Sequence, residues 1–237
     1  MISAYHRPET IEQALALLAR RHVKTAALVG FDAVLGPDVE EVVDLQALHL
    51  NQLSIEAGSA VIGTGIHLQS LLEDTRLPAW LRAIIKAEAS STFRNMYTLY
   101  SVIQAASPES SLLAALLVCD AQVAVVSVSG RQSLTLATYL AQPATGILSA
   151  VHLHIDGRGA DARLGRTPAD SPIVAAVGRR GDDGRLRLAL CGVAATPLLV
   201  EPEAIADLQP SGDFRGSAEY RREMAAVLSQ RVMNALA

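Results

Sequence analysis

The sequence has only two cysteines, Cys119 and Cys191, each among apolar neighbours and neither in a C-x-x-C pair. That makes them buried thiols, and it excludes a cysteine-ligated iron–sulfur cluster built by this chain alone. It also has no excess of positive charge: 20 Lys and Arg stand against 24 Asp and Glu, for a net charge of −4, with no basic block. Without a run of cations to track a phosphate backbone, nucleic acid is excluded as the natural partner. No apolar run is long enough to span a bilayer, since the most apolar stretch, Leu112 to Val128, is interrupted by Asp120 and Gln122. The opening MISAYHRPET lacks a basic stretch followed by an apolar core, so the expected location is the cytoplasm. Aromatics make up only 4% of the residues, so Tyr97 and Tyr100 close together stand out.

What is present is the composition of a folded chain. Half of the 237 residues are apolar and 19% are charged, enough to bury a sizeable core in one compact unit or two small domains. Thr10 precedes IEQALALLARR, with Gln13 placed for a capping box, and predicts a helix over residues 10–21. TAALVG (25–30) and EEVVDL (40–45) are short β-prone runs, which together with that helix make a small α/β unit. From residue 52 the texture changes. QLSIEAG and SAVIGTG predict a hairpin turning at Ala57-Gly58-Ser59, and LQSLLED (68–74) and PAWLRAIIKAEA (78–89) are helical, with Trp80, Ile84 and Ile85 on one face.

A loop is expected over Arg94–Ser111, RNMYTLYSVIQAASPESS. A helix (111–120), a strand (121–128) and the alternating strand LSAVHLHI follow, closing this unit near residue 156. Asp156-Gly157-Arg158-Gly159 reads as a boundary. Beyond it, PIVAAVGRR and RLRLALCGV flank Gly181-Asp182-Asp183-Gly184 as an antiparallel hairpin. The last stretch is an amphipathic helix placing Tyr220, Met224, Val227, Leu228, Val232 and Leu236 near one face. The fold class is α+β.

Small constellations have ordinary explanations. His152 and His154 share a strand face and could bind a metal, but a third ligand is missing nearby. Ser107-Pro108-Glu109-Ser110-Ser111 is helix-cap chemistry rather than a nucleophile beside a carboxylate. Gly63-Thr64-Gly65 is explained by a turn. Tyr97 and Tyr100 are either a plug in a vacated pocket or ordinary loop packing.

The order of segments resembles the FAD-binding (medium) subunit of molybdenum hydroxylases of the carbon monoxide dehydrogenase and xanthine dehydrogenase type. YHRPETIEQALALLA, VVDL, VIGTGIHLQSLLED, RLRLALCGVAATPLLVE and DFRGSAEYRREMAAVLSQRV carry it, nearly end to end. The resemblance implies a two-part FAD-binding region over residues 1–156, divided at about 1–51 and 52–156, and a C-terminal domain over 157–237 with an antiparallel sheet and helices. It also implies FAD as the cofactor, and as partners an iron–sulfur subunit and a molybdopterin-binding large subunit that hold the remaining cofactors.

In that family two glycine-rich loops hold the FAD diphosphate, A-G-G-T-D/S and R-N-x-G-T-I-G-G-N, because a diphosphate lying on backbone needs inward N–H groups and no Cβ. Here the first loop reads VGFDAVL, keeping Gly30 and Asp32 beside Phe31. The second keeps Arg94, Asn95, Thr98 and a near match in Leu99, while its glycines have become Tyr97, Tyr100 and Ser101 and its asparagine Val102. An acid expected in the following segment is Ser111. Gly30, Asp32, Thr98 and Leu99 are thus the retained cofactor-binding positions, and the departures imply that FAD binding is weakened or lost. The chain then serves as a scaffold or assembly subunit, doing no chemistry alone. The alternative is a working flavin subunit that passes electrons from iron–sulfur clusters to an external acceptor.

Overall fold

In a computed structural model of the chain, residues 2–29, 36–167 and 170–237 are described. The first unit is a three-stranded parallel sheet of β1 (Ala4–His6), β3 (Glu41–Asp44) and β2 (Thr25–Leu28), in that order, with α1 (Ile11–Leu18) packed on it. Thr10 caps α1 by accepting the Gln13 amide at 3.2 Å, and the Gln13 side chain reaches back to the Glu9 amide at 3.0 Å. The helix ends at Leu18, short of the expected 21. Arg20 instead extends its side chain to Glu41, which also holds His6.

The second unit is a five-stranded antiparallel sheet, ordered β4 (Leu53–Glu56), β5 (Ser59–Gly63), β8 (Ile147–His154), β6 (Gln122–Ser127), β7 (Gly130–Thr135). Glu56 pairs with Ser59, leaving a two-residue turn in which Ala57 and Gly58 both have positive φ, 46° and 78°. That geometry matches the right-handed twist of the strands it joins. The helices of this unit are α2 (Leu68–Glu73), α3 (Ala79–Glu88), α4 (Ser91–Met96), α5 (Leu99–Ala105), α6 (Ser111–Val118) and α7 (Leu136–Ala141). The expected loop over 94–111 is therefore a correction: its middle is helical, broken only at Tyr97-Thr98 and again over residues 106–110. Ser90 and Thr98 each accept the amide three residues on, so side-chain caps start both short helices.

The third sheet is antiparallel, ordered β12 (Leu198–Leu199), β11 (Leu186–Cys191), β10 (Val174–Arg180), β9 (Arg158–Leu164). The hairpin around Gly181–Gly184 is present. β9 is a strand the sequence hid, because RGADARL has little β propensity; its register with β10 runs from Val174↔Leu164 to Arg180↔Arg158. Gly159 is needed there, since a Cβ would lie 2.1 Å from the Trp80 ring of α3. The break before β9 is accordingly narrower than the four residues expected.

All eight residues of α6 are buried. It lies against β10 and β11, and its cluster also takes in Ala175, Val177, Ala189 and Cys191. The other face of this sheet carries α8 (Ala218–Leu236), giving three layers. The buried face of α8 is Arg221, Ala225, Leu228, Ser229, Val232 and Leu236, while Tyr220 and Val227 are exposed. That face is rotated from the expected one because Arg221 is drawn inward by carbonyl partners. Both cysteines are buried among apolar side chains, and burial pushes the Cys119 thiol up to about 12 and the Cys191 thiol higher still. Among the described residues no helix is long and apolar enough to cross a membrane.

Candidate functional site

The segment with flavin-loop character begins on α4. Arg94 is buried, and its guanidinium donates to Gln69 Oε1 at 3.0 Å, to the Lys86 carbonyl at 2.9 Å and to the Ala89 carbonyl. Asn95 donates its side-chain amide to the Ser91 carbonyl at 2.8 Å. Both retained polar residues therefore serve the local fold. Tyr97 is extended (φ −75°, ψ 135°), a conformation open to any residue, so glycine is not required there.

Thr98 and Leu99, two of the expected site residues, are both 0% exposed at the start of α5. Thr98 Oγ1 donates to the Val29 carbonyl at 3.2 Å and accepts the Ser101 amide at 3.3 Å. The Thr98 amide donates to Ser101 Oγ at 3.0 Å, completing a capping box. The Leu99 amide donates to the Ile66 carbonyl at 3.0 Å, that of Tyr100 to Thr64 at 2.7 Å, and that of Val102 to Thr98 at 3.3 Å. Every amide from 98 to 102 thus has an acceptor within the chain. The other two expected site residues, Gly30 and Asp32, lie outside the described residues, as does Phe31.

Tyr100 and Ser101 adopt ordinary helical backbone, with no left-handed φ. The Tyr100 ring packs against two apolar clusters, that of the middle unit and that of the first unit. Val102 is buried in the first of these. The Gly63-Thr64-Gly65 turn holds this arrangement in place: a Cβ at Gly63 would lie 2.3 Å from the Leu50 carbonyl, and fully buried Thr64 donates to the Leu148 carbonyl. Beside it is a cavity of about 330 Å³ lined by Val29, Leu45, Leu50, Asn51, Gly65 and His67, at the C-terminal ends of β2 and β3.

A second cavity, about 280 Å³, lies between α3, the 107–111 turn and residues 171–172, with Glu88, Arg94, Ser107 and Ser111 in its wall. Here a carboxylate reaches the start of α6 from another helix. Glu88 Oε1 accepts from the Ser110 hydroxyl and Oε2 from the Leu112 amide at 2.9 Å, so a carboxylate sits at the positive end of α6. Sequence spacing carries no signal for this, since Glu88 is 24 residues from Leu112. Burial raises the Glu88 carboxyl above its usual range against these hydrogen bonds. A folded-state acid raised in this way loses stabilisation as pH climbs from the ordinary carboxylate range through the raised value. Glu88→Ala is expected to cost about 1–3 kcal/mol by leaving the Leu112 amide unpartnered, whereas Glu88→Gln should stay folded with a flatter stability profile on that limb; chemical denaturation across pH checks both.

The remaining candidates do not converge on a centre. Ser110 is the N-cap of α6, and Glu109 pairs with Arg215. His152 and His154 are exposed on the open face of the five-stranded sheet, His154 within 3.3 Å of Ser59 Oγ. Among the described residues no group of three or more His, Cys, Asp or Glu is placed to hold a metal.

Parallel strands ending at a crevice, an antiparallel middle sheet and a third antiparallel sheet between α6 and α8 define the class. The chain belongs to the family described as the FAD-binding domain in molybdopterin dehydrogenase, which matches residues 1–153. Over 246 aligned residues it is 29% identical to the protein YgfM of Escherichia coli strain K12, covering 96% of this chain and 94% of that one. The fold is also that of solved enzymes. The carbon monoxide dehydrogenase from Hydrogenophaga pseudoflava that lacks the Mo-pyranopterin moiety superposes with a TM-score of 0.87 at 20% identity, over 100% of this chain and 97% of that one. Quinoline 2-oxidoreductase from Pseudomonas putida 86 does so with a TM-score of 0.83 at 17% identity, over 98% and 96%.

Proposed function

We propose that this chain is the medium-subunit homologue of a molybdenum hydroxylase-type oxidoreductase complex, a scaffold or assembly subunit whose FAD binding is weakened or lost. The observation that carries the reading is the closed set of amides at α5, where each N–H from 98 to 102 already has a protein acceptor. This end of α5 does not fit a diphosphate: a diphosphate needs free inward donors, and Tyr100 adds a ring at a glycine position. Of the retained positions, Thr98 and Leu99 act here as a cap and a core residue.

Family membership supports a place in a complex with an iron–sulfur subunit and a molybdopterin-binding large subunit, in the cytoplasm. Residues 1–156 are the FAD-binding-like region, with parts at about 1–51 and 52–156, and 157–237 the C-terminal domain; the separate sheets support this division. The test is purification of the tagged chain from its native source, followed by identification of co-eluting subunits and by iron and molybdenum analysis. Co-elution with both subunits in fixed ratio is the expected result. A stable monomer free of iron and molybdenum would overturn the proposal.

A further inference from the structure

We propose that Tyr100 and the first turn of α5 form an internal clamp that holds the first α/β unit shut on the middle sheet, doing by side chain what a ligand lodged between the two would do. The proposal deepens the reading of the loop given above and rests on it. The first unit is small. Among the described residues its apolar cluster has five buried members, Ala14, Val29, Val43, Leu45 and Ile147, and the last of these is borrowed from β8. A unit of about 50 residues with so little core is marginal unless something docks it.

Tyr100 is what bridges the gap. Of the partly buried apolar side chains among the described residues, it alone packs against both this cluster and the large middle cluster. Hydrogen bonds fix its position from either side. Thr98 Oγ1 ties α5 to the Val29 carbonyl at the end of β2, and the Leu99 and Tyr100 amides tie it to Ile66 and Thr64 of the middle unit. A ligand bound across such a crevice would stabilise the closed form by mass action. A tyrosine built into the chain does so at any ligand concentration, so the subunit holds one shape without flavin.

Ordinary loop packing makes a different prediction. Tyr97, three residues earlier, touches only the middle cluster among the described residues and stacks on Phe93 at 5.2 Å, so it is the natural control. Hydrogen exchange read by mass spectrometry on the full-length chain, without added flavin, separates the two. In Tyr100→Ala, the amides of α1, β2 and β3 are expected to exchange roughly tenfold faster or more, while those of β10, β11 and α8 hold. Tyr97→Ala should show no such selectivity. If Tyr100→Ala does not fold, Tyr100→Leu, which keeps part of the contact, should show the same selective change in smaller measure. Uniform acceleration, no acceleration, or equal behaviour of the Tyr97 and Tyr100 variants overturns the clamp. Flavin assayed in the same wild-type sample keeps the two readings apart. A flavin-free chain with no selective change defeats the clamp alone, and one FAD per chain defeats both.

Discussion

Denatured after purification from its native source, the complex is expected to release far less than one FAD per copy of this chain, and titration of the isolated chain with FAD should reach saturation only at very high concentration, if at all. A diphosphate on backbone is held by charge-assisted hydrogen bonds of about 1.5–3 kcal/mol each. At α5 the Leu99 and Tyr100 amides point to Ile66 and Thr64 carbonyls, and the Ser101 amide to Thr98 Oγ1. Freeing them would leave buried acceptors unpaired, with Thr64 itself fully buried. Removing two or three such bonds corresponds to about two to six orders of magnitude in affinity. In the proposed complex, electrons would then leave by a route other than a flavin on this chain. Stoichiometric FAD traced to this chain would show that the diphosphate is held by other donors.

Arg221→Leu is expected to be among the most damaging single substitutions for stability. The residue is 4% exposed, and its guanidinium donates to the Ile173 and Gly192 carbonyls at 2.8 Å each and pairs with Asp213 at 2.7 Å. Those contacts join the start of β10, the end of β11 and the 211–216 turn to α8. Gly192 is itself constrained, with φ +76° and space for a Cβ only 2.0 Å from the Ile173 oxygen, so the Arg221 site has little room to readjust. Asp213 is exposed, so the cost comes from leaving the buried Ile173 and Gly192 carbonyls without a donor, about 1–3 kcal/mol each, which at about 2–4 °C per kcal/mol for a chain of this size lowers Tm by roughly 4–24 °C.

The pH profile gives a second readout. Arg221, followed by the Arg215 amide, holds the Asp213 carboxyl well below its usual range. An acid depressed in the folded state adds stability above its unfolded pKa that is lost as pH falls toward the folded value. The leucine variant should therefore show a flatter acid limb as well as a lower plateau in calorimetry. An unchanged Tm would refute the assignment.

The legible parts of this protein were those whose signals are local. Thr10 and Gln13 announce the first helix, Ala57-Gly58 and Gly181–Gly184 announce two hairpins, and the alternation of LSAVHLHI announces the central strand. Each needs only a few neighbouring residues to decide its backbone. The absence of glycine at 97, 100 and 101 was equally plain, and it drew attention to the α4–α5 segment. What replaced it was not. Thr98 and Ser101 do form a readable cap, but glycine-loop character suggested irregular chain where side-chain caps in fact start two short helices.

The sequence by itself determined the α+β class, the flavoprotein-like order of segments and the change from glycine to larger residues at 97, 100 and 101 that the resemblance implies. Only the tertiary structure decided how that change is accommodated, because the acceptors for the α5 amides come from residues 64 and 66, and the Thr98 hydroxyl finds its own acceptor at residue 29. The same holds for β9, whose poor β propensity is overridden by pairing along β10, and for Glu88 at the head of α6. It holds too for α8, where a buried arginine turns the helix away from its most apolar face because two backbone carbonyls and a carboxylate satisfy the charge. Contacts between residues distant in the chain leave no period or spacing to read, and at this protein's site they settle which donors are free.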